Sequence, residues 1–164
     1  MKTPYKVVKT VSLLQLGICV VYMIYFFMDN SIWSNPSKSQ IALLYEILLT
    51  GSMAVVSGIG LYFKKKWGWS WAIFFYSYIS LSLLRDVIYV GKAINDELLI
   101  NIGYSYMFKF IEILCFVGIF ILLNTKHIAS VFQQKNTIQK SVYLFVLSLI
   151  LLVIDSMIML NIFR

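Results

Sequence analysis

From Gln40 to Trp71 the chain reads QIALLYEILLTGSMAVVSGIGLYFKKKWGWSW, and this stretch decides the fold. The run from Gln40 to Phe63 carries one charged residue, Glu46. About 20 apolar residues in a helix are what the hydrocarbon core of a bilayer requires. The run stops at Lys64, Lys65 and Lys66, and Trp67, Trp69 and Trp71 follow. Lysines closing an apolar run, with tryptophans beside them, mark a membrane–water interface.

Working outward, four more runs of similar length appear, at about 7–28, 69–90, 98–123 and 141–163. Polar stretches at 29–39, 91–97 and 124–140 separate them. Barrel strands would alternate apolar and polar residues, which these runs do not. Open strands in lipid leave their backbone groups unsatisfied. The expected fold is therefore an all-α integral membrane protein, a compact bundle of five transmembrane helices forming a single domain over residues 1–164. Composition agrees, since 60% of the residues are hydrophobic and only 13% charged. A soluble domain of this size needs about twice that charge to cover its surface.

The formal net charge of +7 is distributed by side. Lys2, Lys6, Lys9, Lys64, Lys65, Lys66, Lys126, Lys135 and Lys140 fall on one side of the expected bundle. Lys38, Lys92 and Arg164 fall on the other, and Arg85 and Lys109 lie within segments. Nine against three places the N-terminus in the cytoplasm and the C-terminus outside. The charge is thus read as topological, and nucleic acid is not an expected partner. Lysine, isoleucine and asparagine usage points to a bacterium, hence to its inner membrane. The apolar stretch after Lys9 is longer than a signal-peptide core and has no cleavage pattern, so it reads as a retained helix. The three tryptophans read as an aromatic belt, and Cys19 and Cys115 as small buried thiols.

Each segment carries less apolar residues at helical spacing, expected to face the bundle interior. These are Ser12, Gln15, Cys19, Tyr22 and Asp29; then Glu46, Thr50, Ser57 and Gly60; then Tyr78, Ser82, Asp86 and Tyr89. Segment four offers Asn101, Ser105, Lys109 and Glu112, and segment five Ser141, Ser148 and Asp155. Small residues, with Ala54 and Gly58 one turn apart, suggest that segment two packs closely and sits centrally.

Six ionisable residues fall within expected spans: Glu46, Arg85, Asp86, Lys109, Glu112 and Asp155. Four carboxylates face two cations. Each charge would cost about 2.5–3.5 kcal/mol at a helix centre, so each needs a partner, a proton or water. All six fall in the middle or outer half, which makes them the candidate ligand- or ion-binding cluster. Lys109 and Glu112 can pair along one helix, and Arg85 can bridge to Glu46 or Asp155.

The single histidine, His127, has no neighbouring ligands, so no metal site is expected. No Walker loop, GxSxG or HExxH motif occurs, no catalytic set is identified, and no cofactor is implied. Three functional classes remain. An interaction protein, such as a complex subunit or an immunity-type inhibitor, binds another membrane protein. A small transporter or binding protein uses the polar cluster for a cation or a small cationic ligand. A membrane enzyme uses Ser105, Lys109 or Glu112.

Overall fold

The computed structural model describes residues 3–28, 38–93 and 99–163. They are helical, with no strand among the described residues. The helices are α1 (Thr3–Met28), α2 (Lys38–Tyr62), α3 (Lys66–Ala93), α4 (Leu99–Asn124), α5 (Lys126–Val131) and α6 (Thr137–Phe163). Four of them contain stretches long and apolar enough to cross a membrane: Leu44–Tyr62, Lys66–Ile88, Met107–Asn124 and Thr137–Leu160. Helix α1 is 26 residues long. The ends of the five long helices lie within four residues of the segments read from the sequence. Of the expected polar stretches at 29–39 and 91–97, residues 29–37 and 94–97 lie outside the described residues, and 38–39 and 91–93 belong to helices.

The bundle is organised around α3, which packs against α2, α4 and α6, while α2 joins α1 to α3. Segment two, expected to sit centrally, also packs against three long helices, α1, α3 and α6, so it shares the centre with α3. Helix α3 buries Trp69, Ala72, Ile73, Phe75, Tyr76, Ser77 and Tyr78, so it is apolar on more than one side. A helix of that kind belongs inside.

The small residues of α2 do pack closely, but the tightest point is not Ala54 and Gly58. A Cβ on Gly60 would fall on the backbone of Gly68, and the reverse holds too. Helices α2 and α3 thus touch backbone to backbone just beyond their connecting turn. That turn contains neither glycine nor proline. Lys64 takes a left-handed conformation (φ 53°). The Lys65 N–H donates to Gly60 O at 2.9 Å and the Lys64 N–H to Leu61 O at 3.1 Å. These two bonds satisfy the last carbonyls of α2 and reverse the chain.

The apolar core lies at the lysine-rich end. Val8, Leu61, Trp69, Ile73, Leu123, Ile128 and Phe132 meet there. Trp69 is fully buried and donates its Nε1–H to Leu123 O at 2.9 Å, so it belongs to the core. Trp67 and Trp71, one turn apart on the opposite face, are exposed as a belt requires. The stretch read as a loop at 124–140 also contains α5, whose Ile128 and Ala129, with the adjacent Phe132, are buried. Helix α5 closes this end against α1 and α4.

Among the described side chains, the stripes on α1, α2, α3 and α6 face inward, while Asp29 and the side chains of Tyr22 and Tyr89 lie outside the described residues. Ser12, Gln15, Ser57, Tyr78, Ser141, Ser148 and Asp155 are all buried. Gln15 is fully used: its Nε2 donates to Ala54 O (2.8 Å) and Ser57 Oγ (2.5 Å), and its Oε1 accepts from Tyr76 Oη (2.8 Å). With Ser12 Oγ donating to Gly58 O at 2.7 Å, these bonds fasten α1 to α2 and α3. Neither thiol is fully buried: Cys19 is half-buried and Cys115 exposed.

Candidate functional site

Arg85 lies toward the end of α3 away from the lysines. Its guanidinium has five N–H donors in a fixed fork, which suits several oxygens at once. Nη1 donates to Asp155 Oδ2 at 2.7 Å and to Ser156 Oγ at 3.3 Å, both on α6. Nη2 donates to Glu46 Oε1 on α2 at 3.3 Å and to Ser82 Oγ at 3.3 Å. Nε and Nη2 both reach Asp86 Oδ1 at 3.4 Å. Asp86 extends the chain, with its Oδ2 3.8 Å from Lys109 Nζ on α4. One connected set of charges thus ties α2, α3, α4 and α6 together.

Burial grades across the set. The Asp155 side chain is 0% exposed and Arg85 14%, while Glu46 and Asp86 are 39% and 36% exposed. The Arg85–Asp155 pair is therefore the dry centre. Glu46, Asp86 and Lys109 form a more exposed rim. Asp155 Oδ1 is buried and has no hydrogen-bond partner among the described residues. Tyr78, buried two turns from Arg85 on α3, presents its hydroxyl toward the same carboxylate. Three carboxylates and two cations leave one negative charge in surplus.

Five of the six candidate residues are thus brought together: Glu46, Arg85, Asp86, Lys109 and Asp155. Arg85 bridges to both of the partners anticipated for it. Lys109 does not pair with Glu112 but crosses to Asp86. The face of α4 turned to α3 runs through Lys109, Ile113, Phe116, Phe120 and Leu123, none of them exposed. Glu112 falls beside this seam, about 60° around the helix from Lys109, and is exposed. The inward reading of its stripe fails there. Ser156 is the network member the sequence reading passed over. Its only signal was adjacency to Asp155, because its Oγ also donates to Leu152 O at 2.8 Å, as helix serines commonly do.

His127, the single histidine, is exposed on α5, and no cluster of metal-ligating side chains occurs among the described residues. The side chain of Ser105 lies outside the described residues, so its use by an enzyme rests on the sequence alone. Comparison with protein-family models, with curated proteins and with solved structures gives no match to this chain.

Proposed function

We propose that this chain is a five-span protein of a bacterial inner membrane that works by docking another membrane protein against α4. In this reading α1 is the fifth span and the lysine-rich end faces the cytoplasm. One observation carries the docking: Glu112 is exposed inside the apolar stretch Met107–Asn124 and has no ion-pair partner among the described residues. It lies ~7.5 Å along the helix from Met107. A carboxylate facing hydrocarbon is costly, and a donor from a partner helix removes that cost. Helix α4 is the natural receiver, because among the described residues its contacts are concentrated on its α3 seam and its end near α5 and α6. Its Met107, Phe108, Phe110, Ile111, Leu114 and Ile121 are all exposed. The charge network then serves as the clasp that holds α4 to the bundle through Lys109.

The test uses Cys115, exposed one turn from Glu112. Thiol cross-linking in native membranes should join Cys115 to one defined membrane protein, and Glu112→Leu should abolish that product. Loss in Glu112→Leu with retention in Cys19→Ala is the expected pattern. Equal cross-linking in wild type and Glu112→Leu would overturn the proposal.

A second reading is favoured by Asp155 Oδ1. A buried carboxylate oxygen without a partner among the described residues, in a set with one surplus negative charge, suits a cation or small cationic ligand entering from the end away from the lysines. Asp155→Asn should then abolish ligand-dependent stabilisation in detergent while the protein still inserts. A full response in Asp155→Asn would remove this reading.

A further inference from the structure

Taken alone, the Lys64–Lys66 triplet holds fewer charges than the four to eight that mark a lipid-binding basic cluster. The fold changes that number. It gathers three lysine-bearing segments at one end: the start of α1 with Lys6 and Lys9, the α2–α3 turn with Lys64, Lys65 and Lys66, and the α5–α6 region with Lys126, Lys135 and Lys140. Contacts across the segments fix this arrangement. Lys64 Nζ sits 3.7 Å from the centre of the Tyr5 ring, and Lys9 Nζ 5.3 Å from that of Tyr62. Gln134 Nε2 donates to Lys66 O at 3.1 Å, and Lys140 Nζ donates to Gln134 Oε1 at 2.8 Å. Helix α5 packs on α1.

Among the described residues no carboxylate offsets these charges. The sequence has no Asp or Glu in residues 1–28, 47–85 or 113–154, the stretches that build this end. Every ion pair among the described residues involves Arg85 or Lys109, in the network at the other end. Lys65, Lys126 and Lys135 are exposed. Beside them Trp67 and Trp71 are also exposed, at the level where headgroups begin.

We propose that this end is a binding surface for anionic phospholipid headgroups, held jointly by the α1, α2–α3 and α5–α6 segments. Eight ammonium groups on one small surface repel one another, and phosphate-bearing headgroups at the same depth relieve that repulsion. The bound lipids then act as a clamp on segments that the apolar core joins from beneath. Nothing in this depends on which leaflet the end occupies, nor on what docks at α4.

The test compares the full-length protein in nanodiscs of phosphatidylcholine alone and of phosphatidylcholine with phosphatidylglycerol, reading thermal unfolding. The wild type should unfold at a higher temperature in the anionic discs. About 1 M salt, where the Debye length is ~3 Å, should erase that rise. The triple variant Lys65→Gln, Lys126→Gln, Lys135→Gln removes none of the side-chain contacts named above. It should lose most of the rise in anionic discs, yet unfold in phosphatidylcholine at the same temperature as wild type or higher. A general structural defect would lower both. A wild type indifferent to lipid charge, or a variant with the full rise, overturns the proposal and leaves the basic end for an acidic protein partner.

Discussion

Arg85 shows how a single side chain is committed by its surroundings. It is 14% exposed, and its closest partner, Asp155, is 0% exposed. Removing the cation strands a buried carboxylate, which typically costs about 3–5 kcal/mol. The more exposed Glu46 and Asp86 soften this toward the lower end, so Arg85→Gln should destabilise the protein by about 3 kcal/mol. Asp155→Asn in the same chain should recover a good part of that loss, as expected for two groups that interact directly. Thermal unfolding of the two single variants and the double variant in detergent checks this, and additive losses would show that the pair is not coupled. Arg85→Lys should not substitute, because one ammonium cannot span Asp155, Glu46 and Asp86 together. A milder residue-scale effect belongs to Gln133. It holds φ 53° at the end of α5, with its N–H bonded to Ser130 O at 3.0 Å. A left-handed non-glycine residue costs about 1 kcal/mol, so Gln133→Gly should raise stability by roughly that amount in a denaturation curve.

At the scale of elements, the crossing of α2 and α3 is set by two glycines. Because the nearest atoms that a Cβ would meet are backbone, no rotamer change can make room. Gly60→Ala or Gly68→Ala should therefore cost about 1–3 kcal/mol or force the helices apart. Gly118→Ala on α4, where nothing lies within 4 Å, should be tolerated. Comparing the thermal stabilities of the three variants tests the crossing, and equal behaviour would mean that the helices are not pressed together there. The long helices were legible in the sequence because a bilayer imposes their length and composition, and lysine or asparagine endings punctuate them. The inward faces of α1 and α6 were legible for the same reason, since Gln15, Ser148 and Asp155 cannot face lipid cheaply. Helix α5 was not, because six residues give less than two turns of periodicity. The central place of α3 was hidden too. Trp69 reads as an interface residue until packing shows it buried, and a sequence of membrane helices is apolar on every side whether it meets protein or lipid.

For the whole molecule, charge separates the two ends. One end carries lysines without carboxylates, and the other carries the network in which Arg85 and Lys109 meet Glu46, Asp86 and Asp155. The pairing of Arg85 was legible from the count of charges alone, whereas the exposure of Glu112 depended on how α4 rotates about its axis, which spacing does not set. The same separation predicts orientation. Basic segments are retained in the cytoplasm, and carboxylates have little influence on topology. With α1 as a span, alternate connections must lie on opposite sides. In a background lacking Cys19 and Cys115, a cysteine at Asn35 or Asp96 should react with an impermeant thiol reagent in whole cells. One at Lys65 or Gln134 should react only after the membrane is opened. A four-span protein with its N-terminus beside residues 35 and 96 would have to break the contacts that set Tyr5 against Lys64, Ser12 against Gly58 and Gln15 against Ala54. A cysteine at Thr3 therefore separates the models: protection in whole cells fits five spans, and labelling there requires four.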